Sequence, residues 1–341
     1  MKLRVGILLL AVLLPAYPAL TPRHAHVPAD LRDAVADSAY SDLAAGSEAA
    51  AAPEAPAPLP DADYTKSIYG ADDRLDYYAA PAEMRALADS VVSLWSSRWV
   101  RPSGAKASLF TVTLGSAHDL CPGERFAEQP VGAFCSGALV GEDIVMTAGH
   151  CVTDEAKCAE TKFLFGFALK RAGESPASVP LSDVYGCKRI IKRDLTSGTL
   201  SLLFNNLVNG GPGPDYAFIQ LDRKVTGHRP LSVDRGGKAA AGDPLFVIGH
   251  PVGLPLKVAG GARVRDVLPK YFFLADLDTF GGNSGSAVFN ARTKQINGIL
   301  VRGDKDFVPS PAGCNVAAVM PQNGGRGEAV TKMSAISKYL P

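Results

Sequence analysis

The chain has 341 residues, with 35 basic against 34 acidic side chains, six cysteines, 34 glycines and 25 prolines; 47% of it is hydrophobic and 20% charged. That length suits roughly two ordinary domains, and a formal net charge of +1 offers no field for wrapping nucleic acid, which needs many Lys and Arg to displace counterions. The apolar content excludes a highly charged disordered chain, and frequent glycine with dispersed proline points to the tight turns of an all-β sandwich or barrel.

Met1-Lys-Leu-Arg4 carries two positive charges, and Val5 to Leu14 is an apolar run followed by Pro15-Ala-Tyr-Pro-Ala19. This reads as a signal peptide, placed at residues 1–25 with Ala16, Ala19 and Ala25 competing as cleavage points. The run is about half of the ~20 apolar residues needed to cross a bilayer, so no membrane anchor is expected. The expected location is outside the cytoplasm, extracellular or periplasmic. Residues 26–66 are rich in Ala, Pro, Asp and Ser, cannot bury a core, and read as a linker or a removable propeptide. The folded domain is expected over residues 67–341.

Met84, Leu87, Val91, Leu94 and Trp95 recur at three-to-four-residue steps after Pro81, which predicts an amphipathic N-terminal helix. Beyond Ser108 the pattern changes to strand-length apolar runs separated by Gly, Pro, Asp and Asn. Examples are 109–114, 138–140, 144–146, 163–165, 217–219, 245–248, 271–274 and 296–301. Strands at this density predict a pair of β-barrels, the first at about 105–230 and the second at about 231–328, with a C-terminal helix over 329–340. The cysteines, at 121, 135, 151, 158, 187 and 314, include no C-x-x-C pair. In an exported chain they favour disulfides over a metal site.

Three segments carry chemistry. Hydrolysis by a serine needs a base beside it, an acid to orient the base, and donors for the developing oxyanion. Among six histidines, His150 and His250 follow strand-like runs; alone, either reads as a structural histidine. Ser284 lies in Gly281-Gly-Asn-Ser-Gly285, whose glycines let the Gly282 and Ser284 amides converge on one spot, although a glycine-rich turn is the plainer reading of the segment alone. Asp215 precedes the apolar run Tyr216-Ala-Phe-Ile219, where a carboxylate can be shielded from water and hold a histidine tautomer; alone it is a turn aspartate after Gly-Pro. A G-x-S-x-G elbow is excluded by Ser286.

Together, Thr147-Ala-Gly-His-Cys151, Asp215-Tyr-Ala-Phe-Ile-Gln-Leu221 and Gly282-Asn-Ser-Gly285 resemble the trypsin-like (chymotrypsin-fold) serine peptidases, in the order His, Asp, Ser. The resemblance covers about residues 108–340. It implies two six-stranded antiparallel β-barrels and a triad of His150, Asp215 and Ser284. It also implies an oxyanion hole from the Gly282 and Ser284 amides, protein or peptide substrates, a monomer, and no metal or other cofactor. Ser67-Ile-Tyr-Gly-Ala-Asp-Asp-Arg74 and Gly281 to Asn290 are similar to the bacterial glutamyl-endopeptidase branch, whose mature chains start near such a segment. That places processing near Lys66.

The family resemblance pairs Cys135 with Cys151. Four cysteines then remain, with three ways to pair them; Cys158–Cys187, enclosing a loop of the first barrel, with Cys121–Cys314 is the expected one. Asn283 stands where the animal enzymes carry an aspartate that pairs with the freed N-terminus, so activation by that pair is not expected. Asp278 falls where trypsin carries the aspartate that binds Arg or Lys. Thr279 matches the threonine of the glutamyl branch, but Leu300 stands in place of its histidine, so cleavage after Arg or Lys and cleavage after Glu both stay open. Val301 and Gly303 are expected to pair with substrate backbone. A catalytically silent binding protein of this fold is the alternative of another class.

Overall fold

A computed structural model describes residues 66–195, 213–236, 238–303 and 305–340. The expected signal peptide and nearly all of the expected propeptide lie outside the described residues. The first barrel is built from β1 (Val91–Ser96), β2 (Cys135–Leu139), β3 (Ile144–Thr147), β4 (Thr161–Leu164), β5 (Val184–Leu195) and β6 (Asp215–Leu221). They form a closed antiparallel barrel in the order β4-β5-β6-β3-β2-β1, with β1 returning to β4. The next six are β7 (Pro244–Gly249), β8 (Lys257–Asp266), β9 (Phe272–Ala275), β10 (Ala287–Asn290), β11 (Ile296–Arg302) and β12 (Glu328–Lys332). They run β7-β10-β11-β12-β9-β8, and the pairing of β7 with β8 closes the second barrel.

Two-residue alternation explains how these strands build two cores at once. In β7, Leu245 and Val247 join Val288, Leu300, Phe273 and Val330 in one buried cluster. The intervening Phe246 and Ile248 join Phe289, Ile299 and Val301 in a larger cluster that continues into Val92, Leu94, Val145 and Phe218 of the first barrel. Strands buried on both faces read as near-continuous apolar runs.

That property accounts for one correction. The helix expected through Trp95 ends early: Ala82–Ala88 is helical, and Val91–Ser96 is β1, paired with both β2 and β4. Val91, Val92, Leu94 and Trp95 are all buried. Apolar residues on both faces of a strand mimic the 3–4 spacing of a helical stripe, while the adjacent β-branched Val91 and Val92 favour the strand. The first barrel thus begins at Val91, ahead of the expected 105. At the other end, the expected closing helix is present but short, Met333–Ile336 followed by a 3-10 turn at Ser337–Tyr339. Its first residues are taken by β12, which pairs with both β9 and β11.

The segment before the first helix belongs to the second barrel. Ile68–Tyr69 pairs in parallel with Val319–Met320, and Arg74–Asp76 pairs with Lys257, Val258 and Ala259 of β8. Three disulfides join Cys135 to Cys151, Cys158 to Cys187 and Cys121 to Cys314. The last spans 193 residues of sequence and ties the loop after Leu114–Ala117 to the hairpin at 307–317. A Cys121→Ser/Cys314→Ser variant is expected to lose about 2–4 kcal/mol of stability, read from the denaturant midpoint, because its unfolded chain regains that loop's freedom.

Candidate active site

His150 stands just past the end of β3, and Asp215 is the first residue of β6, the neighbouring strand. The Asp215 carboxylate is fully buried. Its Oδ1 accepts the Gly149 and His150 amides at 2.6 and 3.2 Å, and its Oδ2 lies 2.8 Å from His150 Nδ1. Burial alone would raise its pKa, but His150, Arg302 and the Gly149 amide hold it below the usual carboxylate value. An ionised carboxylate only accepts, so Nδ1 carries a proton, and in a neutral imidazole the lone pair is then on Nε2. The second barrel supports the same aspartate: Thr331 Oγ1 of β12 donates to its carbonyl at 2.9 Å, and an Arg302 nitrogen of β11 lies 3.8 Å from Oδ2.

Ser284 sits in the tight loop between Phe280 and β10. The Asn283 amide donates to Phe280 O, Ser286 to Asn283 O, and Gly285 to Leu300 O. Gly282 has φ +72°, and a Cβ there would stand 2.8 Å from His250 O and 2.9 Å from Gly253 N, so only glycine fits. The first barrel holds the loop from the other side. The Ser136 amide donates to Ser284 O at 2.8 Å, and Ser136 Oγ donates to Gly282 O at 2.8 Å. Cys151, next to His150, places its Sγ 3.6 Å from the same Ser284 carbonyl. Among the described residues neither the Gly282 nor the Ser284 amide is taken up by an acceptor, which leaves both donors for an oxyanion. Asn283 is neutral and accepts from Ser286 Oγ at 3.1 Å.

Next to Ser284 lies a buried group of charges. Lys66 is fully buried, and its Nζ donates to Ser284 Oγ at 3.1 Å. Its backbone amide donates to Asp306 Oδ1 at 2.7 Å, and the Ser67 amide donates to Glu328 Oε1 at 3.1 Å. Glu328 is also fully buried and accepts Thr279 Oγ1 at 2.9 Å. Burial pushes the Glu328 carboxyl well up and the Lys66 ammonium down, and the attraction between the two opposes both shifts.

Residues 135–299 match the family described as trypsin-like peptidase domain. The chain carries a trypsin-like peptidase domain. Over 170 residues it is 25% identical to a glutamyl endopeptidase of Bacillus licheniformis, covering 48% of this chain and 47% of that protein. The chain therefore spans about half the length of that relative. Among solved structures, the Vibrio cholerae VesB protease is similar with a TM-score of 0.46 and 16% identity, over 79% of this chain and 66% of its own. A Glu endopeptidase structure is similar with a TM-score of 0.43 and 17% identity, over 80% of this chain and 96% of its own.

The residues singled out from sequence fall in different places around this domain. His150 and Asp215 are bonded, and the Ser284 carbonyl lies 3.6 Å from the sulfur of Cys151, the residue after His150. His250 is apart from that group: its Nδ1 is 3.0 Å from Leu254 O, and burial pushes its pKa down to about 3, so it stays neutral. Among the described residues, one His/Cys group has the spacing to hold a metal: His150 with Cys135 and Cys151, whose sulfurs are joined in a disulfide. Asp278 is buried, but its oxygens accept the Tyr69 and Asp73 amides at 2.8 and 2.7 Å. The carboxylate is engaged with the N-terminal segment. Thr279 and Gly303 lie around the buried charges, Thr279 through Glu328 and Gly303 through close approach to the same carboxylate, whereas Val301 is buried in the apolar core. Sequence reasoning missed Ser136, Glu328 and Asp306. Only Ser136 left a signal, as the residue after Cys135 in a strand paired with the one leading to His150.

Burial raises the Asp278 pKa to about 7, against the opposing effect of the two amides. The folded protein thus holds this proton more tightly than the unfolded chain. The stabilisation is complete below the ordinary carboxylate value of 3.8 and is lost as pH rises through about 7. Thermal melts of wild type and Asp278→Asn across that range should show a downward slope with rising pH that the variant lacks.

Proposed function

We propose that the protein is a secreted serine endopeptidase. The observation that carries this reading is the buried Asp215 carboxylate bonded to His150 Nδ1, with the Ser284 loop held against Cys151, the residue after His150. Asp215 fixes the tautomer, and His150 Nε2 takes the proton of Ser284 Oγ as that oxygen attacks a peptide carbonyl. The tetrahedral oxyanion is met by the Gly282 and Ser284 amides. His150 returns the proton to the leaving amine, and the acyl group stays on Ser284 Oγ. A water, deprotonated by His150, then attacks the acyl carbon, releasing the acid and restoring the serine. The substrate lies along Val301-Arg-Gly303 as an added strand.

Residues 1–25 direct export, and residues 26–66 are a propeptide removed by a cut near Lys66. The three disulfides suit an oxidising compartment. A silent binding protein of the same fold would have no use for an intact His150–Asp215 pair beside Ser284. Cleavage after Glu, which the name of the Bacillus licheniformis relative suggests, sits poorly with a carboxylate buried next to the nucleophile.

A fluorophosphonate probe should label the processed protein, and Ser284→Ala should abolish the labelling. His150→Ala should lower kcat on a peptide substrate by on the order of 10⁶-fold. Unlabelled processed protein, or peptide cleavage surviving Ser284→Ala, overturns the reading.

A further inference from the structure

The buried charges beside Ser284 form a pocket with an occupant already in it. Lys66 is anchored at the inner end by its own amide on Asp306, and beside it Ser67 is anchored on Glu328 and, through its hydroxyl, on Lys305 O at 2.9 Å. From that end the lysine side chain runs out to the nucleophile, where its ammonium is 3.1 Å from Ser284 Oγ. A donor on the hydroxyl oxygen occupies one of its two lone pairs, and the lysine chain stands where a substrate would approach. The wall is shaped for this: a Cβ on Gly303 would strike the Glu328 carboxylate, so the acid lies against the strand expected to pair with substrate. Thr279 holds the other carboxylate oxygen from within the domain.

A wholly buried ammonium is costly unless opposite charges surround it. Here Glu328, Asp306 and Asp215 all attract Lys66, and Arg302, the cation acting on it, lies 3.8 Å from Asp215. Among the described residues, these three acids thus face two cations, Lys66 and Arg302. Cutting the Lys66–Ser67 bond removes the lysine ammonium and creates a new ammonium at Ser67, whose nitrogen is 3.1 Å from Glu328 Oε1. The charge count is conserved while the space next to Ser284 empties. A substrate lysine or arginine entering that space balances the charges; a substrate glutamate adds a fourth acid.

We propose that Glu328, aided by Asp306, selects a lysine or arginine side chain on the acyl side of the cut bond, and that Lys66 fills this pocket until the chain is cut before Ser67. This rests on the serine endopeptidase reading and assigns its substrate class to Glu328, a residue of β12, in place of Asp278.

The test uses the full chain before and after lysyl endopeptidase treatment, with the new N-terminus at Ser67 confirmed by sequencing. The cut form is expected to react with a fluorophosphonate at least ~30-fold faster than the uncut form, as for release of a buried charged contact. It should cut a peptide library after Lys and Arg. Benzamidine, an amidinium the size of the side chain, should slow labelling of the cut form and not of the uncut form. In folded Glu328→Gln protein, checked by circular dichroism, the ratio of kcat/KM for a Lys peptide over its Met counterpart should fall at least ~30-fold. Cutting after Glu or apolar residues, benzamidine without effect on the cut form, or an unchanged ratio overturns the pocket assignment and leaves the peptidase reading standing. Equal labelling before and after the cut overturns the role of Lys66. No labelling of either form overturns both readings.

Discussion

A carboxylate with no exposed surface holds this molecule's chemistry in place. Asp215 accepts two backbone amides from the turn that carries His150 and the imidazole itself. Those donors offset the desolvation of a buried charge. Because its carbonyl is bonded to Thr331 and its Oδ2 lies near Arg302, the same residue is braced by the second barrel. Any displacement of one barrel against the other would strip partners from a buried charge, which ties the relative position of the barrels to the state of the active site.

The nucleophile is tied across the same boundary in the opposite direction. Ser284 belongs to the second barrel, yet its carbonyl and that of Gly282 are held by Ser136 of the first, and the Cys135–Cys151 bridge fastens Ser136's strand to the residue after His150. Ser136 Oγ also accepts the amide of His250 at 2.9 Å, linking the end of β7 to the nucleophile's loop. A single small hydroxyl thus serves two neighbouring turns. His250, neutral and bonded to Leu254 O, keeps the second of those turns folded against Gly282, which explains why a strand-ending histidine is present without acting as a base.

What could be read from the sequence is what local chemistry demands. A serine between glycines, a histidine and an aspartate at strand ends, and apolar runs of strand length leave marks within a few residues, so the family resemblance and the two barrels were legible. Val91 to Trp95 was misread because a strand buried on both faces has no two-residue alternation left to distinguish it. Glu328 was illegible for a different reason. It precedes Ala329, Val330 and Thr331 in a stretch that reads as helix or strand, and it comes near Ser284 only through the pairing of β12 with β11. Asp278 shows the converse: its position along the sequence suggested a pocket acid, but the fold brings the Tyr69 and Asp73 amides to it first.

The amides that Asp278 accepts give the N-terminal segment its place in the fold. Asp278 fixes Tyr69 and Asp73, the parallel pairing with Val319–Met320 fixes Ile68, and Asp76 is bonded at 2.7 Å to the buried ammonium of Lys257. Residues 67–76 are therefore tied to the second barrel by contacts of their own, with Arg74–Asp76 paired directly to β8. Lys66 contributes no strand pairing of its own. Its amide donates to Asp306 Oδ1 and its ammonium to Ser284 Oγ. A boundary between a segment bound by backbone pairing and a residue bound by charge allows one peptide bond to separate what completes the fold from what blocks the site.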